Sequence, residues 1–275
     1  MLATLLLHLA LGLKREDGLR LTIDSDNADP VLLMTLPGES AAAVQIIFPE
    51  HVSARTREGS EGEHLYLYRP GLDSDRPAWK RIGQSLQYER ELPHDIHMLA
   101  RATMQNDGVL FHYEFTNRSN VAWDMIYAVT DPRMKSILQD VRLERMYVHH
   151  ANGFDLLASE EPRFSLPARF VASYTWPVPK ERIEKRDGIT HYSKSRAVDE
   201  PLIATVSSDG KWVAASFTRT VGNVWSNPEL TCQHVDPQKS LPAHATVKLE
   251  VKFLVMRGTL EDAQRAFQEQ RSVLK

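Results

Sequence analysis

The sequence is poor in residues and patterns that define several large classes of protein. It contains one cysteine, Cys232, in 275 residues, which excludes an intramolecular disulfide, a CxxC redox site and a cysteine-rich zinc site. Its 33 Lys and Arg nearly balance its 36 Asp and Glu, so nucleic acid and anionic membranes have no electrostatic attraction to it. P-loop, GxSxG, HExxH and dinucleotide-binding motifs are all missing. The sequence therefore predicts no cofactor and no nucleic-acid partner.

Long hydrophobic runs are missing as well. The most apolar stretch, Met1 to Leu13, is too short to cross a bilayer as a helix, so no membrane span is predicted. Ala10 and Gly12 have the small-residue spacing of a signal-peptidase site, which indicates the remnant of a signal peptide and favours a periplasmic or secreted protein. His8 within the run, and no basic residue before it, indicate a first buried segment instead. Both readings stay open, and residues 14–275 are predicted to form one β-sandwich domain.

The sequence does contain turn signals between short apolar runs, which are typical of a β-protein. Asn106-Asp107-Gly108 separates two apolar runs, 96–103 and 109–116, which is the pattern of a hairpin. Ser208-Asp209-Gly210 separates two further runs in the same way. Apolar and polar residues alternate over 109–116 and again over 247–255, a period of two that predicts strands with one buried face.

One segment near the end of the chain predicts an α-helix. Thr259 can cap a helix that begins at Leu260, and apolar residues then recur at helical spacing up to Leu274. Two segments are harder to assign: 50–62 is polar and predicts a loop, whereas 137–147 fits a short helix or a strand. The fold class is therefore all-β and antiparallel, with a C-terminal α-helix. Further predicted strands are 19–23, 31–35, 44–48, 64–68, 123–129, 170–174 and 231–234.

A resemblance to a known class rests on three motifs in the last part of the chain and one in the middle. The motifs are Trp225-Ser226-Asn227-Pro228, Cys232 to Pro237, Gly258 to Asp262, and Asn117-Arg118-Ser119 after an alternating strand. The arrangement resembles uncharacterised bacterial proteins of the galactose mutarotase-like β-supersandwich class. The resemblance implies that fold and a carbohydrate ligand. Because the class includes aldose epimerases, polysaccharide lyase domains and glycosidase domains, it does not choose a reaction.

The sharpest local pattern is the sequence from Cys232 to Asp236. In an extended segment the side chains of Cys232, His234 and Asp236 share one face, where they could transfer protons or ligate a metal. Neighbours on that face stand about 7 Å apart, which is too far for direct hydrogen bonds unless the segment bends. Cys232 can equally be a buried core residue, and Asp236 before a proline can simply start a turn.

The second candidate group lies on the strand 109–116. His112 and Glu114 share its polar face and could act as acid and base on a sugar, or could be ordinary surface residues. Arg219 and Asn227 could hydrogen-bond a substrate, while Trp176 and Trp225 could stack on a sugar ring. We expect the segment 219–236 and the His112 strand to meet in one groove. There His234 would be the general acid or base, with Asp236 or Glu114 as its carboxylate partner, in an epimerase-like or lyase-like reaction.

Two other functions fit the same residues. A non-catalytic carbohydrate-binding or structural module would use the tryptophans without an acid–base pair. A metal-dependent site would use His234 and Asp236, whereas the adjacent His149 and His150 point to opposite faces of a strand and are a weak metal signal. The sequence does not determine the sugar, the bond acted on or the oligomeric state.

Overall fold

The computed structural model describes residues 12–15, 17–24, 30–58, 60, 62–70, 77–158, 170–174, 182–186, 188–194, 196–220 and 223–275. The strands of these regions are β1 (Gly12–Lys14), β2 (Arg20–Ile23), β3 (Val31–Thr35), β4 (Val44–Arg55), β5 (Glu63–Leu67), β6 (Lys80–Ile82), β7 (Ser85–Leu92), β8 (Ile96–Gln105), β9 (Gly108–Asn117), β10 (Trp123–Met134), β11 (Met146–His150), β12 (Gly153–Leu156), β13 (Phe170–Tyr174), β14 (Arg182–Arg186), β15 (Ile189–Lys194), β16 (Leu202–Val206), β17 (Trp212–Phe217), β18 (Val224–Ser226), β19 (Gln238–Leu241) and β20 (Thr246–Arg257). One α-helix, α1 (Leu260–Gln270), and two 3₁₀ turns (Ser136–Leu138 and Arg271–Val273) complete the described elements. None of the described helices is long and apolar enough to cross a membrane.

The described strands form two large sheets and one small one. The seven-stranded sheet has the order β1-β2-β3-β4-β10-β19, with β5 also paired to β4. The nine-stranded sheet has the order β12-β11-β16-β17-β20-β9-β8-β7-β6, and the four-stranded sheet has the order β14-β15-β13-β18. All pairs are antiparallel except β13 with β15, which run parallel. The predicted all-β antiparallel supersandwich with a C-terminal helix is confirmed.

The two large sheets pack face to face through large apolar side chains. Phe48 of β4 contacts Phe111 and Tyr113 of β9, with 4.7 Å between ring centroids in both pairs. The Oη of Tyr88 on β7 donates a hydrogen bond to the carbonyl of Phe48 at 2.6 Å, so the buried hydroxyl is satisfied. This core leaves each large sheet with an outer face, and the candidate residues divide between these two faces.

The hairpins that the sequence predicts are present. β8 and β9 pair around Asn106 and Asp107, and the register runs from Gln105 opposite Gly108 to Ile96 opposite Asn117. Gly108 has a φ of +154°, and a Cβ there would lie 2.1 Å from the carbonyl oxygen of Phe253, so only glycine fits. β16 and β17 pair around Ser208 to Lys211 in the same way.

The helix α1 begins where the sequence predicts. The Thr259 side chain accepts a hydrogen bond from the Asp262 amide, and Asp262 in turn accepts one from the Thr259 amide, which completes a capping box. The apolar side of α1 buries Ala263 and Phe267 against the outer face of β16 and β17, where the rings of Phe267 and Phe217 lie 5.3 Å apart. The helix thus covers part of the outer face of the nine-stranded sheet.

Three sequence predictions need correction or completion. Residues 50–55 are not a loop, because β4 continues to Arg55 and pairs there with both β5 and β10. The segment 137–147 divides between a 3₁₀ turn and the first residues of β11. Gly12 and Leu13 belong to β1, and Leu13 is buried, whereas residues 1–11 lie outside the described residues.

Candidate functional site

The segment 231–237 lies beside the end of β10 and carries the candidate site. Cys232 forms an isolated bridge with Arg133 of β10, and His234 forms one with Trp225 of β18. The extended backbone places Cys232, His234 and Asp236 on one face, as the alternation predicts. The segment bends enough to bring these side chains closer than a flat strand would, since His234 Nδ1 lies 3.7 Å from Asp236 Oδ1.

Gln233 fixes the orientation of this segment. Its side chain points to the opposite side, into the core between the sheets, where it is fully buried. Its Nε2 donates to Thr205 Oγ1 at 2.8 Å and to the carbonyl of Ala214 at 3.0 Å, and its Oε1 accepts from Ser216 Oγ at 3.0 Å. These bonds tie the segment to β16 and β17, so its neighbours Cys232 and His234 must face outward.

His234 is held between an indole ring and two carboxylates. Trp225 stacks on the imidazole with 3.7 Å between ring centroids and 3° between the ring planes. Asp131 Oδ1 lies 3.3 Å from Nε2 of the ring, and Asp236 Oδ1 faces Nδ1 on the other side. The His234 side chain is only 1% exposed. In this structure it therefore does not open onto the cleft, and the role of general acid or base predicted for it stays a prediction.

The charges around His234 alternate in sign. Asp131 is fully buried on β10; its Oδ2 accepts from Arg133 Nε at 2.5 Å, and Arg133 also reaches Glu50 Oε1 at 3.2 Å. Burial alone would raise the pKa of Asp131, but His234 and Arg133 overcome it and the pKa is lowered. Burial alone would likewise lower the pKa of His234, but Cys232 and the two carboxylates raise it well above the usual value. The cluster therefore favours the charged forms of Asp131 and His234.

Asp236 connects this buried cluster to an open cleft. Tyr127, Asn223, Asp236 and Gln238 line a cleft of about 270 Å³ at the junction of β10, β18 and β19. The Asp236 side chain is 14% exposed, and its Oδ2 accepts a hydrogen bond from Trp225 Nε1 at 2.6 Å. The Asp236 Oδ1 is buried, faces Nδ1 of His234, and has no hydrogen-bond partner among the described residues. Asp236 is thus a carboxylate in a cleft with a buried imidazole behind it.

The predicted substrate-binding residues are placed differently from the prediction. Asn227 builds the turn below the site: its Oδ1 accepts from the Leu230 amide at 2.8 Å, and its Nδ2 donates to Cys232 Sγ at 3.3 Å. Arg219 is exposed. Trp225 packs on His234 and donates to Asp236, so it positions both residues instead of presenting that ring face to a ligand. Trp176 lies outside the described residues.

His112 and Glu114 do not join this site. Their neighbours Phe111, Tyr113 and Phe115 fill the core, and Tyr113 Oη bonds Thr130 of β10 at 2.8 Å across it. By alternation His112 and Glu114 point to the outer face of the nine-stranded sheet. There His112 Nδ1 contacts Glu250 Oε1 at 2.9 Å, and Glu114 Oε2 contacts Lys248 Nζ at 3.0 Å.

Asp131 follows Thr130 and faces away from the core, like its strand partner Ile47. Thus His112 and His234 occupy opposite outer faces, and the single groove expected from the sequence is not formed. The two regions belong to different sheets, and the whole interlayer core separates them.

Sequence reasoning missed Asp131, Arg133 and Tyr127. The residues of β10 before Thr130 fit an apolar strand, so the polar Asp131-Pro132-Arg133 reads as its end. Asp131 and Arg133 in the more buried second half of this strand are nevertheless a usable signal, because buried charges occur where partners are present.

Comparisons with known proteins place the fold in a class. The chain has the fold of the Slr1438 protein from Synechocystis sp. PCC 6803, with a TM-score of 0.56, 10% identity, and coverage of 91% of this chain and 96% of that one. A galactose mutarotase-like protein from Lactobacillus casei gives 0.51, 10% identity, and coverage of 90% and 100%. A galactose mutarotase related enzyme from Lactobacillus acidophilus gives 0.50, 8% identity, and coverage of 91% and 98%.

These similarities confirm the galactose mutarotase-like fold that the sequence motifs predict. The sequence matches no protein-family model and no curated protein sequence. At such low identity the likeness concerns the fold alone, because one fold hosts many activities.

Proposed function

We propose that this protein binds a carbohydrate in the cleft beside Asp236 and transfers a proton to or from it. The observation that carries the proposal is the Asp236 carboxylate, which lines the cleft and is held by Trp225 Nε1 at 2.6 Å. A general base must lie within reach of the substrate and be fixed in direction. Asp236 lines the cleft with a side chain that is 14% exposed, and Trp225 holds its Oδ2, while its Oδ1 is buried against His234. The fold similarity to a galactose mutarotase related enzyme supports sugar as the substrate class.

The other groups in the cleft suit a small polar ligand. Asn223 and Gln238 carry amides, and Tyr127 carries a phenol; these can exchange hydrogen bonds with sugar hydroxyls. A volume of about 270 Å³ is close to the small end of the usual range of ligand pockets, roughly 300–1,000 Å³. The cleft therefore fits a monosaccharide, or one sugar unit of a longer glycan that extends into solvent.

In this proposal each residue around the cleft has a distinct role. Asp236 takes a proton from a carbon next to a carbonyl of the sugar. In an epimerisation the proton returns to the same carbon; in an elimination a carbon–carbon double bond forms as the bond from the adjacent carbon to the leaving oxygen breaks, and the proton passes to that oxygen. His234 is a positioning residue, since it is buried behind Asp236 and contacts it at 3.7 Å. Trp225 fixes both of them, and Asp131 with Arg133 fixes the far side of the imidazole.

The test is a panel of sugars and glycans assayed both for binding and for product formation with the wild type and two variants. Asp236→Asn keeps an oxygen for Trp225 but removes the base, so we expect turnover to fall at least about 100-fold. Glu114→Gln, the matched control, neutralises a carboxylate on the opposite outer face and should leave turnover unchanged.

Retention of most turnover by Asp236→Asn would remove Asp236 from the reaction. Binding of a sugar by the wild type without any product would instead favour the non-catalytic carbohydrate-binding module. Absence of both binding and turnover across the panel would overturn the proposal as a whole.

A further inference from the structure

A group of three metal-ligating side chains lies behind the cleft. Asp131, Cys232 and His234 offer a carboxylate oxygen, a thiol sulfur and an imidazole nitrogen, and these three atoms lie within 4.8 Å of one another. The residues come from β10 and from the segment beside it, about 100 positions apart in the chain, so only the fold brings them together. All three are buried, with exposures of 0%, 0% and 1%.

The distances between these atoms suit one small ion. Ligand atoms about 2.0–2.1 Å from a tetrahedral zinc ion are about 3.3 Å from one another. Asp131 Oδ1 and His234 Nε2 are 3.3 Å apart. The two atoms form an ion-pair contact that falls short of hydrogen-bond geometry, so the buried Asp131 Oδ1 has no hydrogen-bond partner among the described residues. A buried oxygen without a partner is costly, and a cation between the two atoms would satisfy it.

Asp131 and Cys232 each have an outer hydrogen-bond partner that fixes their direction, and His234 faces a further carboxylate. Arg133 Nε holds the other oxygen of Asp131 at 2.5 Å, and Asn227 Nδ2 donates to Cys232 Sγ at 3.3 Å. Nδ1 of His234 faces the carboxylate of Asp236, while Nε2 faces Asp131. Metal-bound histidines typically direct their second ring nitrogen to a carboxylate or carbonyl in this manner.

We infer that Asp131, Cys232 and His234 bind a divalent transition-metal ion, with Zn²⁺ the best fit. One thiolate, one imidazole and one carboxylate form a mixed S, N, O set that zinc accepts and that magnesium and calcium, which prefer all-oxygen sets, do not. Three protein ligands leave the fourth position of a tetrahedral ion for a small ligand. The ion displaces the proton of the thiol and of the imidazole as it binds.

This ligand set differs from the His234 and Asp236 pair suggested by the sequence. Asp236 Oδ1 lies 3.7 Å from Nδ1 of the imidazole, on the side away from Asp131, so Asp236 is not part of this ligand set. A second group, His149 with Asp199 and Glu200, serves as a comparison. Both ring nitrogens of His149 already have partners, Asp199 Oδ1 at 2.6 Å and Gln264 Nε2 at 2.7 Å, so no vacant ligand atom is left there.

The test uses Co²⁺ as a spectroscopic substitute for Zn²⁺ on the full-length, untagged protein after treatment with a chelator. Cys232 is the only cysteine of the chain, so a sulfur-to-cobalt charge-transfer band in the near ultraviolet can arise only from it. We expect this band to saturate at one Co²⁺ per chain and to disappear when Zn²⁺ is added. No sugar and no activity are involved, so the result is independent of the function proposed above.

Two variants complete the experiment. Cys232→Ser should abolish the band and weaken Zn²⁺ binding, read by competition with a chromophoric chelator, by at least about tenfold. His149→Gln alters the comparison group and should leave both unchanged. Absence of a saturating charge-transfer band in the wild type would overturn the inference without depending on any variant. Unchanged Zn²⁺ affinity in Cys232→Ser, or loss of binding in His149→Gln, would also overturn it.

Discussion

Replacement of Asp107 by Asn tests the electrostatics of the hairpin between β8 and β9. Lys252 on β20 is 1% exposed, and its ammonium group contacts Asp107 Oδ1 and Gln105 Oε1. Asp107 also accepts a hydrogen bond from Gln270 of α1. Asp107→Asn keeps a residue that suits the turn and keeps an oxygen near the lysine, but it removes the negative charge. The buried ammonium is then left without a counter-ion.

The expected loss of stability follows from the charges and their exposure. Two unit charges about 4 Å apart attract by about 4 kcal/mol at an effective dielectric constant of about 20. Asp107 is 28% exposed, which weakens the attraction, and Gln105 still accepts one bond from Lys252. Breaking a fully buried pair costs about 3–5 kcal/mol, so we expect Asp107→Asn to lower the free energy of unfolding by about 2–3 kcal/mol.

Urea denaturation at neutral pH measures this loss, and the chain supplies a matched control. Asp209 occupies the equivalent place in the hairpin between β16 and β17, where it accepts bonds from Ser207 Oγ and the Lys211 amide without a buried cation. Asp209→Asn should cost less than about 1 kcal/mol. Adding Lys252→Met to Asp107→Asn should restore much of the loss. Equal losses in the two aspartate variants would refute the reasoning.

Two further predictions concern the outer face of the nine-stranded sheet. Phe267→Ala removes the buried ring that joins α1 to Phe217 and should lower the free energy of unfolding by about 3–5 kcal/mol, measured by urea denaturation; a loss below about 1 kcal/mol would show that α1 docks weakly. Glu250 has a lowered pKa, since His112 and the Lys275 amide outweigh the effect of burial. Its stabilisation is therefore present above about pH 4.3 and is lost as the pH falls through the lowered pKa, so the stability difference between wild type and Glu250→Gln should shrink steadily below about pH 4.3. A difference that does not shrink as the pH falls would contradict it.

The parts of the fold that could be predicted from the sequence are those encoded locally. The hairpin at Asn106-Asp107, the alternation of β20 and the Thr259 cap each depend on residues a few positions apart. The edge strand β6 was missed because its three residues are all exposed, so no alternation marks them. The parallel pairing of β13 with β15 depends on the chain between them, for which no local pattern exists.

Only the part of the candidate site formed by residues close together in the sequence could be predicted. The spacing of Cys232, His234 and Asp236 places them on one face, and the structure agrees. Asp131 pairs with them from about 100 residues away, which no local pattern encodes. The alternation of β9 correctly places His112 on the face that points away from the core. It does not indicate whether the segment 219–236 lies on that same outer face, because this depends on the order of strands in each sheet.

The hydrogen bonds of Gln233 have a consequence for how the site can change. Because side chains alternate, a slip of the segment by one residue would turn Gln233 outward and drive His234 into the interior. The side-chain hydrogen bonds of Gln233 to Thr205, Ala214 and Ser216 would all break in that slip, so they oppose it. Changes in the residues between β17 and β18 can therefore alter what enters the cleft while Cys232, His234 and Asp236 keep their spacing.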